Sequence, residues 1–353
     1  MSSTPKSPIK VGILGYGYAT ATFHAPLIDA VPGLELLAIS SSNAAKVLAD
    51  WPQLQVCNTP EELIARADID LVVIPTPNDT HHALAAKALA AGKHVVVDKP
   101  FSLDTAEARD LIARADAAQR LLSVFHNRRW VADFLTVQKL VASGQLGRIT
   151  HFESHFDRFR PEVRQRWREG AGLGSGLWYD LGPHLLDQAI CLFGMPHTIY
   201  LDRALQRDGA LADDWFHAVL GYGELRVLLH ASMLVAHEGP RFIIHGTQGS
   251  YTKEGIDPQE DALKAGLRPG DENWGVDETM GRLDVMRGTW MQHSQVPNER
   301  GDYTRYYAAI RDVILHGAPN PVPATEALQV MQLLEAGMLS ASEGRLVSVS
   351  DTK

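Results

Sequence analysis

Ile9-Lys10-Val11-Gly12-Ile13-Leu14 runs directly into Gly15-Tyr16-Gly17-Tyr18-Ala19-Thr20, and no other stretch of the chain narrows the possible folds so far. The first six residues read as a short apolar strand. A helix from about Thr20 to Ala30 and a second strand from Leu34 to Ile39 follow. Strand, glycine turn, helix and strand within about 30 residues is the context a dinucleotide-binding turn requires. Gly15 permits the tight turn, and Gly17 lets the backbone approach a pyrophosphate at the positive end of the next helix. The third glycine of the usual pattern is replaced by Thr20. A glycine pair by itself also fits an ordinary strand–helix turn. Its position and context favour the cofactor, with Gly15, Tyr16, Gly17, Tyr18, Ala19 and Thr20 as the contact residues.

The tip of the second strand decides which cofactor. A carboxylate there binds the ribose 2′-hydroxyl of NAD, whereas small polar and basic residues suit a 2′-phosphate. The chain reads Ser40-Ser41-Ser42-Asn43, with Lys46 one helical turn on and the nearest acid, Asp50, well into the next helix. That favours NADP over NAD. The same serines and asparagine also read as a cap for the helix Ala44–Ala49, and the two readings are compatible.

Strands and helices continue to alternate: Gln55 to Cys57, Pro60 to Ala67, Leu71 to Ile74, a helix to about Ala91, His94 to Asp98, a helix from Asp104 to Ala118, and Leu121 to Phe125. This is a doubly wound parallel α/β domain over residues 9–127. Ligands of such sheets lie at the C-terminal strand tips, which adds Pro75, Thr76, Asn78, His81, Asp98, Lys99 and Asn127 to the candidate cofactor contacts. His81 and His82 also read as satisfied structural groups. Val95-Val96-Val97 is a buried strand ending in Asp98-Lys99-Pro100, and Pro100 keeps Lys99 out of helical backbone angles. Taken alone, Lys99 reads equally well as a strand-end surface lysine.

At 353 residues the chain is long enough for two domains. Its formal charge of −9 and the acids interleaved with Arg158, Arg160, Arg164, Arg166 and Arg168 argue against a nucleic-acid partner. Cys57 and Cys191 stand far apart with no companion at ligand spacing, so no disulfide framework and no metal site are expected, and a reducing cytoplasm fits. No apolar run approaches the ~20 residues that span a bilayer. Residues 1–8 are polar and lack the apolar core of a signal peptide, so they read as a disordered tail.

Gly12-Ile13-Leu14-Gly15-Tyr16-Gly17, Asp98-Lys99-Pro100 and Asp180-Leu181-Gly182-Pro183-His184 stand in the order and spacing of the glucose–fructose oxidoreductase / inositol dehydrogenase / MocA (Gfo/Idh/MocA) family, which the chain resembles from about Ile9 to about Val347. The family usually has Glu-Lys-Pro at the second motif. The segments Phe23–Leu27 and Ser154–Arg160 are similar to a bacterial branch that includes scyllo-inositol dehydrogenases. The resemblance implies a nicotinamide cofactor on the first domain and an α+β second domain with an open, mostly antiparallel sheet. It also implies a substrate cleft between the domains, centred on the positions matching Lys99, Asp180 and His184.

The second domain, residues 128–353, has a pattern of its own that fits an antiparallel sheet. Ile149 to Phe159 alternates as a half-exposed strand does, and strands follow near 198–204, 215–222, 225–233 and 241–246. Trp178 to Phe193 contains a helix. Pro183 in a first turn would put its start close to Asp180, with Asp180 and His184 four apart on one face. Such a pair on a helix is usually a surface or capping feature; Lys99 and the cofactor turn make catalysis the better reading. Residues 255–302 read as an irregular excursion or an oligomer contact. Helices cover 303–315 and 324–342; Tyr306 and Tyr307 read as core or as reaching the cleft.

The chemistry expected is hydride transfer between the nicotinamide and a secondary alcohol or ketone of a polyol or sugar. His184 is the base, Asp180 orients it, and Lys99 holds the reacting oxygen. Arg128, His155, Asp157 and Trp167 are candidate substrate contacts. A homodimer or homotetramer through the C-terminal sheet is expected. The alternatives are a non-catalytic NADP-binding regulator and a glycoside-processing enzyme that uses transient oxidation.

Overall fold

The computed structural model describes residues 7–237 and 239–352, so most of the tail expected at residues 1–8 lies outside the described residues. The chain forms two compact units, each assembled from separate segments. The first runs to Trp130 and takes in Gln259–Trp274 and Asp302–Leu328; the second holds Val131–Pro258, Gly275–Gly301 and the chain from Gln329. A boundary between residues 127 and 128 follows the order of the sequence and does not register those two later segments of the first unit.

In the first unit, strands β1 (Ile9–Leu14), β2 (Leu34–Ser40), β3 (Gln55–Cys57), β4 (Leu71–Ile74), β5 (His94–Asp98) and β6 (Leu122–Phe125) form one sheet in the order β3-β2-β1-β4-β5-β6. All its pairings are parallel. Every residue of β4 and Val95–Val97 of β5 is at 0% exposure. This explains the unbroken apolar runs, since a parallel sheet covered on both faces needs them. The strand order reverses between β1 and β4, the switch point at which such sheets open a ligand crevice. The helix Thr304–His316 packs in this unit, with Tyr306 and Tyr307 fully buried, as the core reading expects. The Tyr306 hydroxyl donates to Ser123 Oγ at 2.9 Å.

The second unit is built on β7 (Ile149–His155), β8 (Thr198–Ala204), β9 (Trp215–Tyr222), β10 (Leu225–Ser232), β11 (Pro240–Gly246), β12 (Gly249–Glu254), β13 (Gly281–Arg287), β14 (Trp290–Val296) and β15 (Val347–Ser348). Their order is β14-β13-β12-β11-β7-β10-β9-β8-β15, antiparallel throughout except for the parallel pair β7/β10. Phe152, Phe216, Val227, Leu229 and Ile244 line the inner face at 0% exposure, against the helix Leu177–Phe193. Phe152 meets Phe193 edge to face at 5.3 Å, and Trp178 meets Phe216 at 5.0 Å. Alternate residues of the same strands face outward, which is the period-2 pattern of a sheet with one face in the core. Among the described residues no helix is long and apolar enough to cross a membrane.

Two expectations need correction. Residues 255–302 are not an irregular excursion: they contain the helix Gln259–Lys264 and the hairpin β13/β14, paired from Gly281↔Val296 to Arg287↔Trp290. Leu283 and Val285 are buried between more exposed neighbours, so the alternation is present but spans only a few residues. The second concerns Pro183, which lies inside its helix rather than in the first turn. The helix begins at Leu177 because Asp213 supplies the cap from elsewhere in the chain. Its carboxylate accepts the Trp178 N–H at 2.8 Å, and its carbonyl accepts the Leu177 N–H at 2.7 Å. Gly176 precedes the helix at φ 91°, and a Cβ there would lie 2.4 Å from Asp213 Oδ1. Pro183 then removes one backbone donor from the helix interior.

Asp213→Ala takes the acceptor from the buried Trp178 N–H and the partner from Arg203, whose guanidinium lies 3.0 Å away. The expected loss is about 1–3 kcal/mol in urea unfolding. Unchanged stability would show that the helix sets its own start.

Candidate functional site

The first unit assembles a crevice at the switch point. Gly15 follows β1 at φ 87°, and its N–H donates to the Ser40 carbonyl at 2.9 Å. A Cβ on Gly15 would lie 3.5 Å from Thr76 Cγ2, so the glycine turn and the tip of β4 are in close approach. A Cβ on Gly17 would meet nothing within 4 Å, leaving open space beside the backbone just where Tyr18 and Ala19 begin the helix. Thr20, in place of a third glycine, is buried and donates its hydroxyl to the Gly15 carbonyl at 2.8 Å, tying the turn from within. The helix opens with a π turn over Thr20–His24.

At the tip of β2, Ser40 is buried while Ser41 and Ser42 are progressively exposed. Ser41 Oγ accepts the Asn43 N–H at 3.1 Å, and Asn43 Oδ1 accepts the Lys46 N–H at 3.0 Å, so the capping reading is met. Lys46 Nζ lies 5.6 Å from the centroid of the Tyr16 ring, whose hydroxyl donates to Asp50 at 2.6 Å. No carboxylate occupies the strand tip itself.

The loops after β4 and β5 are joined by His81. Its ring nitrogens lie 2.9 Å from the Thr76 carbonyl and 2.9 Å from the Pro100 carbonyl, and burial lowers its pKa. A neutral imidazole donates to only one of these carbonyls at a time. His81 thus serves the backbone around Lys99 as the structural reading expects. The Lys99–Pro100 peptide bond is cis. Asp98 is buried at the end of β5, where Oδ1 accepts the Lys99 N–H at 2.8 Å and Oδ2 lies 3.6 Å from His24 Nε2. Burial alone would raise this carboxyl. His24, with the charge of Lys99, outweighs burial and holds the pKa down to about 2. His24 Nδ1 lies in turn 2.6 Å from the Tyr307 hydroxyl.

Pro75, Thr76, Asn78 and Asn127 stand where expected, at or just beyond the tips of β4 and β6; Asn78 and Asn127 are buried. Arg128 is buried in this unit with its guanidinium 2.6 Å from Glu260. Glu260 also accepts the Tyr18 hydroxyl at 2.8 Å and pairs with Lys264 at 3.0 Å. Burial raises its carboxyl, but Arg128, Lys264 and Tyr18 together hold it at about 2.

In the second unit, Asp180 and His184 lie one turn apart on the helix Leu177–Phe193; Asp180 is half-buried and His184 buried. Arg168 Nε lies 3.7 Å from Asp180 Oδ1, and its guanidinium covers the half-exposed Trp167 ring at 5.0 Å. A shallow pocket lined by Arg166, Arg168, Asp180 and Arg207 opens there. His155 and Asp157 are not part of it. They lie on the outer face of the sheet, because residues 151, 153, 155 and 157 alternate with the inward Phe152.

Two family models match the chain: an oxidoreductase-family NAD-binding Rossmann fold over residues 9–126, and an oxidoreductase-family C-terminal alpha/beta domain over residues 138–349. The chain belongs to the Gfo/Idh/MocA oxidoreductase family. It is 56% identical to the uncharacterized oxidoreductase YdgJ of Escherichia coli K12, covering 94% of this chain and 96% of that one. It is 41% identical to the scyllo-inositol 2-dehydrogenase (NADP(+)) IolW of Bacillus subtilis 168, covering 96% and 95%. The solved structure of the YPO2259 putative oxidoreductase from Yersinia pestis matches with a TM-score of 0.94 at 54% identity, over 98% of this chain and 99% of that one. The positive φ of Gly15 and the open space beside Gly17 fit the dinucleotide that the family's first domain binds.

His24, Glu260 and Asp213 were not singled out from the sequence, and Arg168 entered only as one of the basic residues interleaved with acids between Arg158 and Arg168. His24 and Glu260 owe their place to partners hundreds of residues away, Tyr307 and Tyr18, and carry no local signal. Asp98 and Glu260 titrate below ordinary carboxyls, so each stabilises the fold above about pH 4. That contribution, on the order of 2 kcal/mol each, is lost as pH falls from about 4 through about 2. Urea midpoints measured across this range should fall less steeply for Glu260→Gln than for the parent, and parallel curves would contradict the assignment.

Proposed function

We propose that the chain oxidises a secondary alcohol of a polyol, with scyllo-inositol the leading substrate and NADP the favoured cofactor. The observation that carries this reading is the 41% identity, along 96% of the chain, to a relative named as an NADP(+)-dependent scyllo-inositol 2-dehydrogenase. The serine-lined tip of β2 supports the cofactor: the tip itself carries no carboxylate to repel a 2′-phosphate, and Lys46 supplies positive charge nearby.

When bound, the nicotinamide supplies the two-electron acceptor. The chain's own residues handle the proton and the oxygen. The alcohol must shed its proton as its carbon is oxidised, and the His184 imidazole accepts it, since histidine titrates near neutrality. Asp180, one turn earlier, orients the ring and stabilises its protonated form. The Lys99 ammonium binds the reacting oxygen and stabilises the negative charge that develops on it. Asp98 and His81 act at one remove: each bonds the backbone next to Lys99 and so limits where its side chain begins. Arg168 and its neighbours offer donors to further hydroxyls of the substrate.

The test is reduction of NADP⁺ and NAD⁺ against a panel of inositols, aldoses and sugar acids. Accumulation of reduced cofactor with an inositol, faster with NADP⁺, supports the proposal. A product formed without net cofactor reduction would favour glycoside processing instead. Lys99→Ala and His184→Ala should each lower turnover by ~10²-fold or more with fold and cofactor affinity intact. Near-normal turnover in both would remove them from the mechanism. Ser42→Asp should move the preference toward NAD⁺; no movement would mean the tip of β2 does not read the ribose.

A further inference from the structure

The segment His151-Phe152-Glu153-Ser154-His155-Phe156-Asp157 alternates polar and apolar or small residues without interruption. Phe152 and Ser154 are at 0% exposure, so His151, Glu153 and His155 point from β7 to the outer face of the second unit's sheet. Asp157 continues that face beyond the end of the strand. β10 runs parallel to β7 in a register that sets His230 beside His155, also facing outward. Two neighbouring strands therefore place two imidazoles and one carboxylate together.

The distances are informative. Asp157 Oδ2 lies 3.6 Å from His155 Nδ1, and Asp157 Oδ1 lies 3.5 Å from His230 Nε2. These separations are long for hydrogen bonds to a carboxylate. Around a tetrahedral ion with bonds of about 2.0–2.1 Å, however, neighbouring donor atoms stand roughly 3.3–3.4 Å apart. One ligand atom from each of the three residues fits within 4.8 Å of the others. Asp157 Oδ1 is buried and makes no hydrogen bond among the described residues, and His230 Nδ1 is likewise buried without one, so the cluster holds an unanswered acceptor facing His230.

The fourth member is Glu153. Its Oε2 lies 2.8 Å from His155 Nε2, and its Oε1 lies 2.6 Å from His151 Nε2. Burial opposes protonation of His155, but Asp157 and Glu153 on its two sides raise its pKa. In the neutral ring, with Nε2–H donated to Glu153, Nδ1 is the nitrogen left to a metal, which must displace a proton to bind. A carboxylate that fixes the tautomer of a ligating histidine through its other nitrogen is the usual outer support of a protein metal site. Two imidazoles and a carboxylate are the donors that zinc and its first-row neighbours take, leaving room for water to complete the shell. The cysteine spacing argued against a metal, but it does not bear on histidine and aspartate ligands.

We propose that His155 Nδ1, His230 Nε2 and the Asp157 carboxylate, which turns one oxygen to each histidine, form a binding site for a divalent transition-metal ion of the zinc class, with Glu153 as the positioning residue for His155. The site lies on the sheet face opposite the helix that carries Asp180 and His184. It clamps the end of β7 to β10, so metal raises the stability of the folded state by mass action.

The experiment uses tag-free full-length protein stripped with a chelator. Zn²⁺ is titrated in competition with a chromophoric chelator, and Co²⁺ is followed by its visible absorption. Circular dichroism confirms the fold of every variant. The expected result is saturable binding of one ion per chain, a tetrahedral or five-coordinate Co²⁺ spectrum, and a thermal midpoint that rises with Zn²⁺. His155→Gln, Asp157→Asn and His230→Gln should each abolish saturable binding, while Glu153→Gln weakens it about tenfold or more. His245→Gln, on the same face but bonded to Ser250, should bind as the parent does. Absence of saturable Zn²⁺ binding overturns the proposal. So does binding that survives the three ligand substitutions, or binding lost with His245→Gln.

Discussion

A carboxylate buried at the end of a hydrophobic strand must be met by charge and hydrogen bonds, and the first unit is arranged around meeting that of Asp98. Its partners come from different parts of the chain. One is the next peptide N–H, another is His24 on the helix that follows the glycine turn, and Lys99 contributes charge. His24 is itself held by Tyr307, from a helix nearly three hundred residues later. The requirement to keep one acid ionised in the interior thereby ties the glycine-turn helix, the tip of β5 and the helix Thr304–His316 into one polar knot within an apolar core. Lys99 is the residue immediately beyond it. Its backbone is held from one side by Asp98, while His81 holds the carbonyl of Pro100 on the other.

The second unit follows a different logic. A sheet with one face in the core separates its residues by parity, and each strand commits alternate positions to packing or to solvent. The inward set packs against the helix Leu177–Phe193, with Trp178 seated on Phe216. The outward set is rich in histidine: His151, His155, His217, His230 and His245. Because parity is strict, chemistry on one face is insulated from the other by the thickness of the sheet. Asp180 and His184 therefore belong to a different environment from Asp157 and His155, although the sequence offers the first pair as catalytic and the second as substrate contacts of one site.

The parallel sheet was legible because its strands are short, dominated by apolar residues and separated by glycine, proline and capping residues. Ser40–Asn43 was legible in the same way, since a helix cap and a strand tip are local features. The start of the helix before Asp180 was not. Pro183 suggested a first turn, but Asp213, brought in by an antiparallel strand connection, caps the helix earlier than any nearby residue does. The hairpin β13/β14 was hidden for a different reason: only Leu283 and Val285 carry its buried face, too few for a period to stand out against polar surroundings. Thr20 shows the converse, a departure from the glycine pattern whose hydroxyl closes the turn it interrupts.

The first unit needs Glu260 to hold Tyr18, and Tyr306 and Tyr307 to complete its core, yet both come from segments made long after Trp130. On the ribosome, the nucleotide-binding sheet emerges first but lacks these partners until nearly the whole chain has been synthesised. Its native contacts close loops of well over a hundred residues, which links a high contact order to a late finish. A chain interrupted after its last Rossmann strand would hold every residue of the cofactor turn and still leave Asp98 and His24 without the aromatic wall that buries them. In this fold the oldest-looking motif of the sequence is among the last to become structurally complete.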